Sequence, residues 1–212
     1  MKRIVLVLSA VCLTASLANA NLLINGNFND PATGDPPTGW SPWSWGSGWA
    51  NHENNGGVTY DGSFYLVTGG LDYDTGGGGF YQIVPATAGI DYTLTVLSGA
   101  DAWWLPYGEM RMFFLDAGDV ELGNAVAGTV DPAVYGQNYD IAHPWSSYSL
   151  TATAPSGTTQ IKVEFAEPHG TGSVWFENAD LTAVPEPGTL GLVIGGLALL
   201  LGSQFRRRAP RS

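Results

Sequence analysis

Hydrophobic and polar residues alternate with a period of two along several short stretches of the chain. In the clearest of them, Ile161, Val163 and Phe165 alternate with Lys162 and Glu164. This alternation is typical of a β-strand with one face in a core and the other in solvent. The same pattern predicts seven further strands at Ile90–Ser98, Glu109–Leu115, Ser147–Thr153, Ser173–Thr182, Phe64–Val67, Phe80–Val84 and Glu121–Ala127.

Between residues 21 and 183 no stretch keeps a helical period over ten residues. Gly, Pro, Asn and Asp separate the predicted strands, and these residues favour turns. Eight or so short strands without helices predict an all-β chain that forms one antiparallel β-sandwich. At about 160 residues the segment has the length of a single domain that can build a sizeable core.

Charge and cysteine are distributed very unevenly. Arg111 and Lys162 are the only basic residues between positions 21 and 183, whereas all but one of the 19 acidic residues lie there. A formal charge of about −16 keeps a secreted domain soluble and repels nucleic acid, so no nucleic-acid partner is expected. The single cysteine, Cys12, lies outside this segment, which therefore has neither a disulfide nor a thiol nucleophile.

The first 20 residues have the three parts of a secretory signal peptide. Lys2 and Arg3 form a basic start, residues 4–17 are an apolar run, and Ala18 and Ala20 form a cleavage site of small residues. Cleavage after Ala20 would begin the exported protein at position 21. The sequence therefore predicts export from the cytoplasm.

The last 29 residues, 184–212, have a second apolar segment with flanking signals. Residues 188–205 carry no charge, and in a helix they would reach about 27 Å, close to one hydrocarbon core. We therefore expect a transmembrane helix there, stopped on the cytoplasmic side by adjacent arginines. The flanking residues are Pro185, Glu186 and Pro187 before the segment and Arg206, Arg207 and Arg208 after it.

A Pro-Glu-Pro turn, an apolar span and an arginine cluster in this order resemble the PEP-CTERM sorting signal of Gram-negative bacteria. The resemblance implies recognition and cleavage near the Pro-Glu-Pro by an exosortase, which is a membrane protease. It also implies a single-pass form in the inner membrane before processing. The processed protein would then reach the cell surface or the exterior of a bacterium that makes exopolysaccharide.

Sequence motifs at both ends of the predicted sandwich resemble a known fold. The sandwich opens with Asn21–Phe28, followed by Gly39 and Trp40, and it closes with the strand Val174–Leu181. Together these motifs resemble jelly-roll carbohydrate-binding modules of the galactose-binding-like type. The resemblance implies a jelly roll over nearly all of residues 21–183, with its first and last segments paired and a polysaccharide as partner.

Many modules of that type hold a structural calcium ion where the first and last strands meet. The matching positions are Asn29, where the family has Glu, and Glu177, where it has Asp. Calcium prefers hard oxygen ligands, and Asn29 offers one neutral oxygen in place of a carboxylate. The resemblance thus implies a calcium site with a weakened ligand set.

Tryptophans cluster in two places, and their flat rings could stack on the C–H faces of sugars. The candidates for carbohydrate binding are Trp43, Trp45, Trp49, Trp103 and Trp104. An alternative is that they fill the core, because a large apolar ring is useful in a sandwich without cysteine. Both interpretations stay open for these five residues, whereas Trp40 and Trp175 are expected in the core.

Recognisable catalytic motifs are missing from the sequence. It contains neither GxSxG nor HExxH, and His52, His143 and His169 lack the spacing of metal ligands. We therefore expect a non-catalytic envelope or matrix protein that binds polysaccharide. One alternative is a structural envelope or biofilm protein with no defined sugar ligand. The least favoured is a glycan-active enzyme, whose paired carboxylates cannot be recognised from spacing alone.

Overall fold

Two five-stranded antiparallel sheets pack face to face in the computed structural model. It describes residues 20–30, 36–54, 59–61, 63–71, 75–100, 107–130, 145–169 and 172–184. The strands are β1 (Ser41–Gly46), β2 (Trp49–Glu53), β3 (Tyr65–Gly70), β4 (Gly76–Pro85), β5 (Asp91–Ala100), β6 (Gly108–Leu115), β7 (Glu121–Val130), β8 (Ser146–Thr153), β9 (Gln160–Glu167) and β10 (Gly172–Val184). Sheet A has the order β1-β4-β9-β6-β7, and sheet B has the order β2-β3-β10-β5-β8.

The all-β prediction is confirmed, and all eight predicted strands are present. The structure adds β1 and β2, both in the Trp- and Gly-rich segment where no strand was predicted. In β1 the usual alternation is inverted, because Trp43 and Trp45 point outward and the residue between them is the small Ser44. The predicted signal peptide up to residue 19 and the predicted sorting tail from residue 185 lie outside the described residues. Among the residues that are described, no helix is long and apolar enough to cross a membrane.

Aromatic rings form the centre of the core between the sheets. Phe28 and Phe165 both contact Trp40, at ring-centroid distances of 5.2 and 5.6 Å, and Phe165 stacks on Phe176 at 5.3 Å. Trp40 is only 3% exposed, as expected from the sequence. The inward rows of β5, β6 and β9 surround these rings with aliphatic, methionine and aromatic side chains, which excludes water from the space between the sheets.

Residues 21–26, the first segment of the domain, are hydrogen-bonded to the last strand, β10. The Oδ1 atom of Asn21 accepts hydrogen bonds from the backbone N–H groups of Leu23 and Leu181, and its Nδ2 donates to the carbonyl of Ala179 at 2.9 Å. The N–H of Ala179 in turn donates to the carbonyl of Gly26 at 2.8 Å. This pairing was implied by the resemblance. All ten strands and the whole described core lie between residues 21 and 184. Because a domain with its own core can fold alone, this part of the chain can fold as one unit.

A substitution at Gly26 tests how much this pairing with β10 contributes to stability. A Cβ atom on Gly26 would lie 2.2 Å from the carbonyl oxygen of Ala179, which is backbone and cannot move aside easily. We expect Gly26→Ala to lower the free energy of unfolding by about 1–3 kcal/mol, measured by urea denaturation. Gly118→Ala is the matched control, because its Cβ would approach the nearest atom only to 3.4 Å. Equal effects of the two substitutions would contradict the prediction.

Candidate functional site

A groove of about 620 Å³ crosses the outer face of sheet A. Its lining combines aromatic, aliphatic and charged side chains: Trp43, Tyr81, Ile83, Phe113, Leu115, Asp119, Glu121, Lys162 and Glu164. Residues directly opposite each other in antiparallel strands point to the same face. The strands β1, β4, β9, β6 and β7 therefore each contribute to one surface, which we call the sheet A groove.

Register arranges the floor of the groove in two rows. In the first row Tyr81 on β4 lies opposite Glu164 on β9, which lies opposite Arg111 on β6. In the second row Lys162 on β9 lies between Ile83 on β4 and Phe113 on β6. Rings and aliphatic groups thus flank a charged centre.

The charged centre is a connected network. Arg111 donates from Nε to Glu109 at 2.6 Å and from Nη1 to Glu164 at 2.8 Å. The Nζ atom of Lys162 lies 3.2 Å from the second carboxylate oxygen of Glu164. Glu164 is only 4% exposed, so both of its oxygens need these partners to offset the cost of removing a carboxylate from water. Arg111 and Lys162, which are the only arginine and lysine between residues 21 and 183, therefore both belong to this charged centre.

Lys162 also contacts the aromatic side chains of the groove. Its Nζ lies 4.2 Å from the ring centroid of Phe113 and 5.5 Å from that of Tyr81, distances at which a cation is attracted to a ring face. The ion pair and the two rings together hold the lysine side chain down on the sheet. Its amino group is therefore presented from a fixed position.

Two tryptophans of β1 lie on the same face of sheet A, beside the charged centre. Trp43 lies opposite Gly79 and Trp45 opposite Gly77 in the register of β1 and β4. Cβ atoms at Gly79 and Gly77 would lie 2.7 and 2.9 Å from the Nε1 atoms of these two rings. The indoles therefore rest directly on the backbone of β4. Trp45 remains 46% exposed and offers a free ring face.

The five predicted tryptophans do not form one cluster. Trp43 and Trp45 share the outer face of sheet A, whereas Trp49 begins β2 in sheet B. There its ring lies against Gly69 and packs on a separate aromatic cluster built around Tyr65, Val67 and Trp175. Trp103 and Trp104 lie outside the described residues. The structure thus brings Trp43 into the groove, places Trp45 beside it on the same face and takes Trp49 to the other sheet.

Sequence reasoning did not select the floor of the groove. Lys162 and Glu164 were correctly assigned to the outer face of β9, but Tyr81, Phe113 and Arg111 were not linked to them. A usable signal was present, because Arg111 and Lys162 are the only arginine and lysine between residues 21 and 183 and both fall on predicted strands. Their juxtaposition depends on the pairing of β6 with β9, which the sequence does not state.

The two predicted calcium ligands converge on the segment around residues 59–64. Glu177 is fully buried, and its carboxylate accepts hydrogen bonds from the N–H of Tyr60 at 3.0 Å and the hydroxyl of Ser63 at 2.6 Å. The Oδ1 atom of Asn29 accepts from the N–H of Phe64 at 3.0 Å. Burial raises the pKa of Glu177, and the nearby Asp61 carboxyl adds to this. Hydrogen bonding to Ser63 lowers the pKa of Asp61.

This oxygen set fits calcium in its chemistry. Asp61 and Glu177 supply carboxylates, Ser63 a hydroxyl and Asn29 an amide oxygen, all of which are hard ligands. A cation there would also offset the cost of burying the charge of Glu177. In the part of the chain that the structure describes, no group of three or more His, Cys, Asp or Glu side chains converges on a metal-sized site. Calcium would therefore depend on the neutral oxygens.

No protein-family model matches the sequence, and no curated protein matches it. Solved structures do match. A cyclase from Fischerella sp. TAU is 17% identical at a TM-score of 0.55, over 78% of this chain and 98% of that chain. A family 16 carbohydrate-binding module is 16% identical at a TM-score of 0.51, over 76% of this chain and 99% of that chain.

The enzymatically active domain of tailspike protein 4 from bacteriophage CBA120 also matches, at 15% identity and a TM-score of 0.55. That match covers 77% of this chain and 21% of the tailspike chain, so the chain spans about a fifth of its length. At these identities the likeness shows the fold alone. The fold is the β-sandwich that is also found in solved jelly-roll carbohydrate-binding modules.

Proposed function

We propose that residues 21–184 bind a polysaccharide in the sheet A groove. The observation that carries the proposal is the combination of Trp43, Tyr81 and Phe113 with the ion-paired network of Arg111 and Glu164 on one open sheet face. Rings of this kind can stack on the C–H faces of pyranoses, while fixed charged groups bond the hydroxyls. The likeness to carbohydrate-binding modules supports the same proposal.

The charges of the groove favour a neutral polysaccharide. Arg111 and Lys162 are both already paired with carboxylates. Asp119 and Glu121 add further negative charge to the lining. A sugar chain that carries carboxylates would meet more anions than cations here, in a domain that is acidic overall, and like charges brought together cost free energy. Neutral hydroxyls, by contrast, can accept from Lys162 or donate to the carboxylates.

Binding rather than catalysis is the role we infer for the glutamates of the groove. A glycosidase needs one carboxyl group that holds a proton for the leaving oxygen. Glu109 and Glu164 share Arg111 as an ion-pair partner, an arrangement that suits groups which fix a ligand. A structural envelope protein without a sugar ligand remains the alternative, and it would not need this groove.

The binding proposal predicts different outcomes for two tryptophans. Trp43→Ala removes a ring from the groove and should weaken binding of a neutral polysaccharide at least about tenfold, or about 1.4 kcal/mol, by titration calorimetry. Trp49→Ala removes the same side chain from the other sheet and should leave the affinity nearly unchanged. Melting temperatures confirm that both variants are folded. Equal losses of affinity in the two folded variants, or no sugar binding by the unmodified domain, would refute the proposal that the sheet A groove binds polysaccharide.

We also propose that calcium binds at Glu177, Asn29, Asp61 and Ser63. When bound, the ion supplies positive charge to a buried carboxylate. Without it, the raised pKa of Glu177 stabilises the fold only at acidic pH, and this stabilisation is lost as pH rises through the folded-state pKa. The calcium-free protein should therefore have a lower free energy of unfolding at neutral pH than the calcium-bound protein.

Glu177→Gln tests the calcium proposal. Saturating calcium at about pH 7 should raise the melting temperature of the unmodified domain by roughly 5–10 °C, and Glu177→Gln should abolish this rise. Asp180→Asn is the matched control: burial also raises the pKa of Asp180 on the same strand, but neither Asp61 nor Glu177 contributes to that shift. A calcium response that survives in Glu177→Gln would exclude this site.

Export with a processed tail is a separate proposal, which rests on the sequence motifs at the two ends. It is compatible with the fold, since β10 ends at Val184, one residue before the Pro-Glu-Pro. Processing at both ends should give a protein that begins at residue 21 and ends near residue 185. Intact-mass measurement of the protein from its native cells checks this, and a mass that spans Met1 to Ser212 would contradict it.

A further inference from the structure

The second row of the sheet A groove places one cation among apolar side chains. Lys162 lies there between Ile83 on β4 and Phe113 on β6. Leu115, two residues further along β6, also lines the groove, and Ile83 is 42% exposed. The first row, by contrast, carries paired charges that suit sugar hydroxyls. We call the second row together with Leu115 the lysine end of the groove.

Lys162 keeps hydrogen-bonding capacity for a ligand. An ammonium group carries three N–H donors and no acceptor. Of the described residues only Glu164 gives its Nζ atom an oxygen, at 3.2 Å, and the other two contacts are the ring faces of Phe113 and Tyr81. A ring face attracts the positive charge, but it is a weaker acceptor than an oxygen. Because the lysine side chain is partly exposed, a ligand oxygen in the groove can accept from it.

The charges of the groove exclude an anionic acceptor. Glu164 already pairs with Lys162, and the carboxylates of Asp119 and Glu121 also line the groove. A carboxylate or phosphate on the ligand would add another negative charge to this set, and like charges brought together cost free energy. The oxygen that accepts from Lys162 therefore belongs to a neutral group, either a hydroxyl or a carbonyl.

The apolar side chains decide between these two groups. A bare sugar edge would bring several hydroxyls against Ile83, Phe113 and Leu115, which cannot bond them, and a polar group without a partner costs free energy. An acetyl group instead combines one carbonyl oxygen, which accepts from Lys162, with a methyl group that covers apolar surface. The lysine end has the chemistry that matches both halves of an acetyl group.

We propose that the sheet A groove selects a neutral polysaccharide whose sugars carry acetyl groups, as amides or as esters. Lys162 donates to the acetyl carbonyl, and Ile83, with the adjacent side chains of the lysine end, contacts the acetyl methyl. This inference rests on the proposed sugar-binding function and names the class of polysaccharide that the same site takes.

Oligosaccharides that differ in one substituent test the preference. A β-1,4-linked hexamer of N-acetylglucosamine carries an acetamido group where the glucose hexamer carries a hydroxyl. Residues 21–184 should bind the acetylated hexamer at least about tenfold more tightly by titration calorimetry, since one extra apolar group in a pocket gives discrimination of this size. An O-acetylated glucomannan, measured before and after mild alkali removes its esters, is the second pair. A preference in the first pair identifies the amide and one in the second pair the ester.

Three variants test the assigned contacts. Ile83→Ala should reduce the preference to about threefold or less and leave the affinity for the unacetylated sugar nearly unchanged. Leu122→Ala is the matched control, because Leu122 is 38% exposed and lies on β7 outside the groove lining. Lys162→Met keeps an unbranched side chain and should also remove the preference, whereas recognition of a methyl group alone would survive it. Glu164 keeps Arg111 as its partner in this variant, and melting temperatures check that all three are folded.

Two failures can be told apart. If residues 21–184 bind none of these sugars, the proposed function fails and this inference fails with it. If they bind acetylated and unacetylated sugars equally in both pairs, the proposed function stands and the acetyl preference is overturned. A preference that survives in folded Ile83→Ala or Lys162→Met, or that Leu122→Ala removes equally, also overturns it.

Discussion

The register of β4, β9 and β6 is the constraint on which the candidate site depends. The same alternation that sends Ile161, Val163 and Phe165 into the core sends Lys162 and Glu164 to the groove. A slip of one residue would exchange these two sets and bury two charged groups. The free energy of the core therefore excludes every slip by an odd number of residues, each of which would remove Lys162 and Glu164 from the groove. Binding chemistry and stability are therefore specified together.

Closure of the sandwich takes the place of a covalent cross-link. Hydrogen bonds from Asn21 position the first segment, but each contributes only about 1 kcal/mol net. Phe28, fully buried against Trp40, contributes more, because truncation of a buried phenylalanine typically costs about 3–5 kcal/mol. Hydrogen bonds thus select the geometry of the N-terminal segment, and the aromatic core provides most of the energy that holds it there.

Periodicity predicted the sandwich and eight of its strands, because half-buried strands leave a clear trace in the sequence. It did not predict β1, whose tryptophans point outward over glycines and so invert the usual pattern. The groove was predicted only in part. Trp43 and Trp45 were among the candidates, but their partners Tyr81, Phe113 and Arg111 come from strands that are distant in sequence. Trp49 is four residues from Trp45 and lies on the other sheet, since the chain changes sheets between them.

The glycines of β4 have a consequence for how this surface can change. Trp43 and Trp45 lie close to the sheet because positions 79 and 77 have no side chain. A methyl group at either position would meet an indole on one side and a backbone carbonyl oxygen at 2.7 Å on the other, so it would displace the ring and also strain the pairing of β4 with β9. The two glycines are thus required twice, by the tryptophans that lie over them and by the strand that pairs beside them, so a related chain could not replace either glycine and keep this surface.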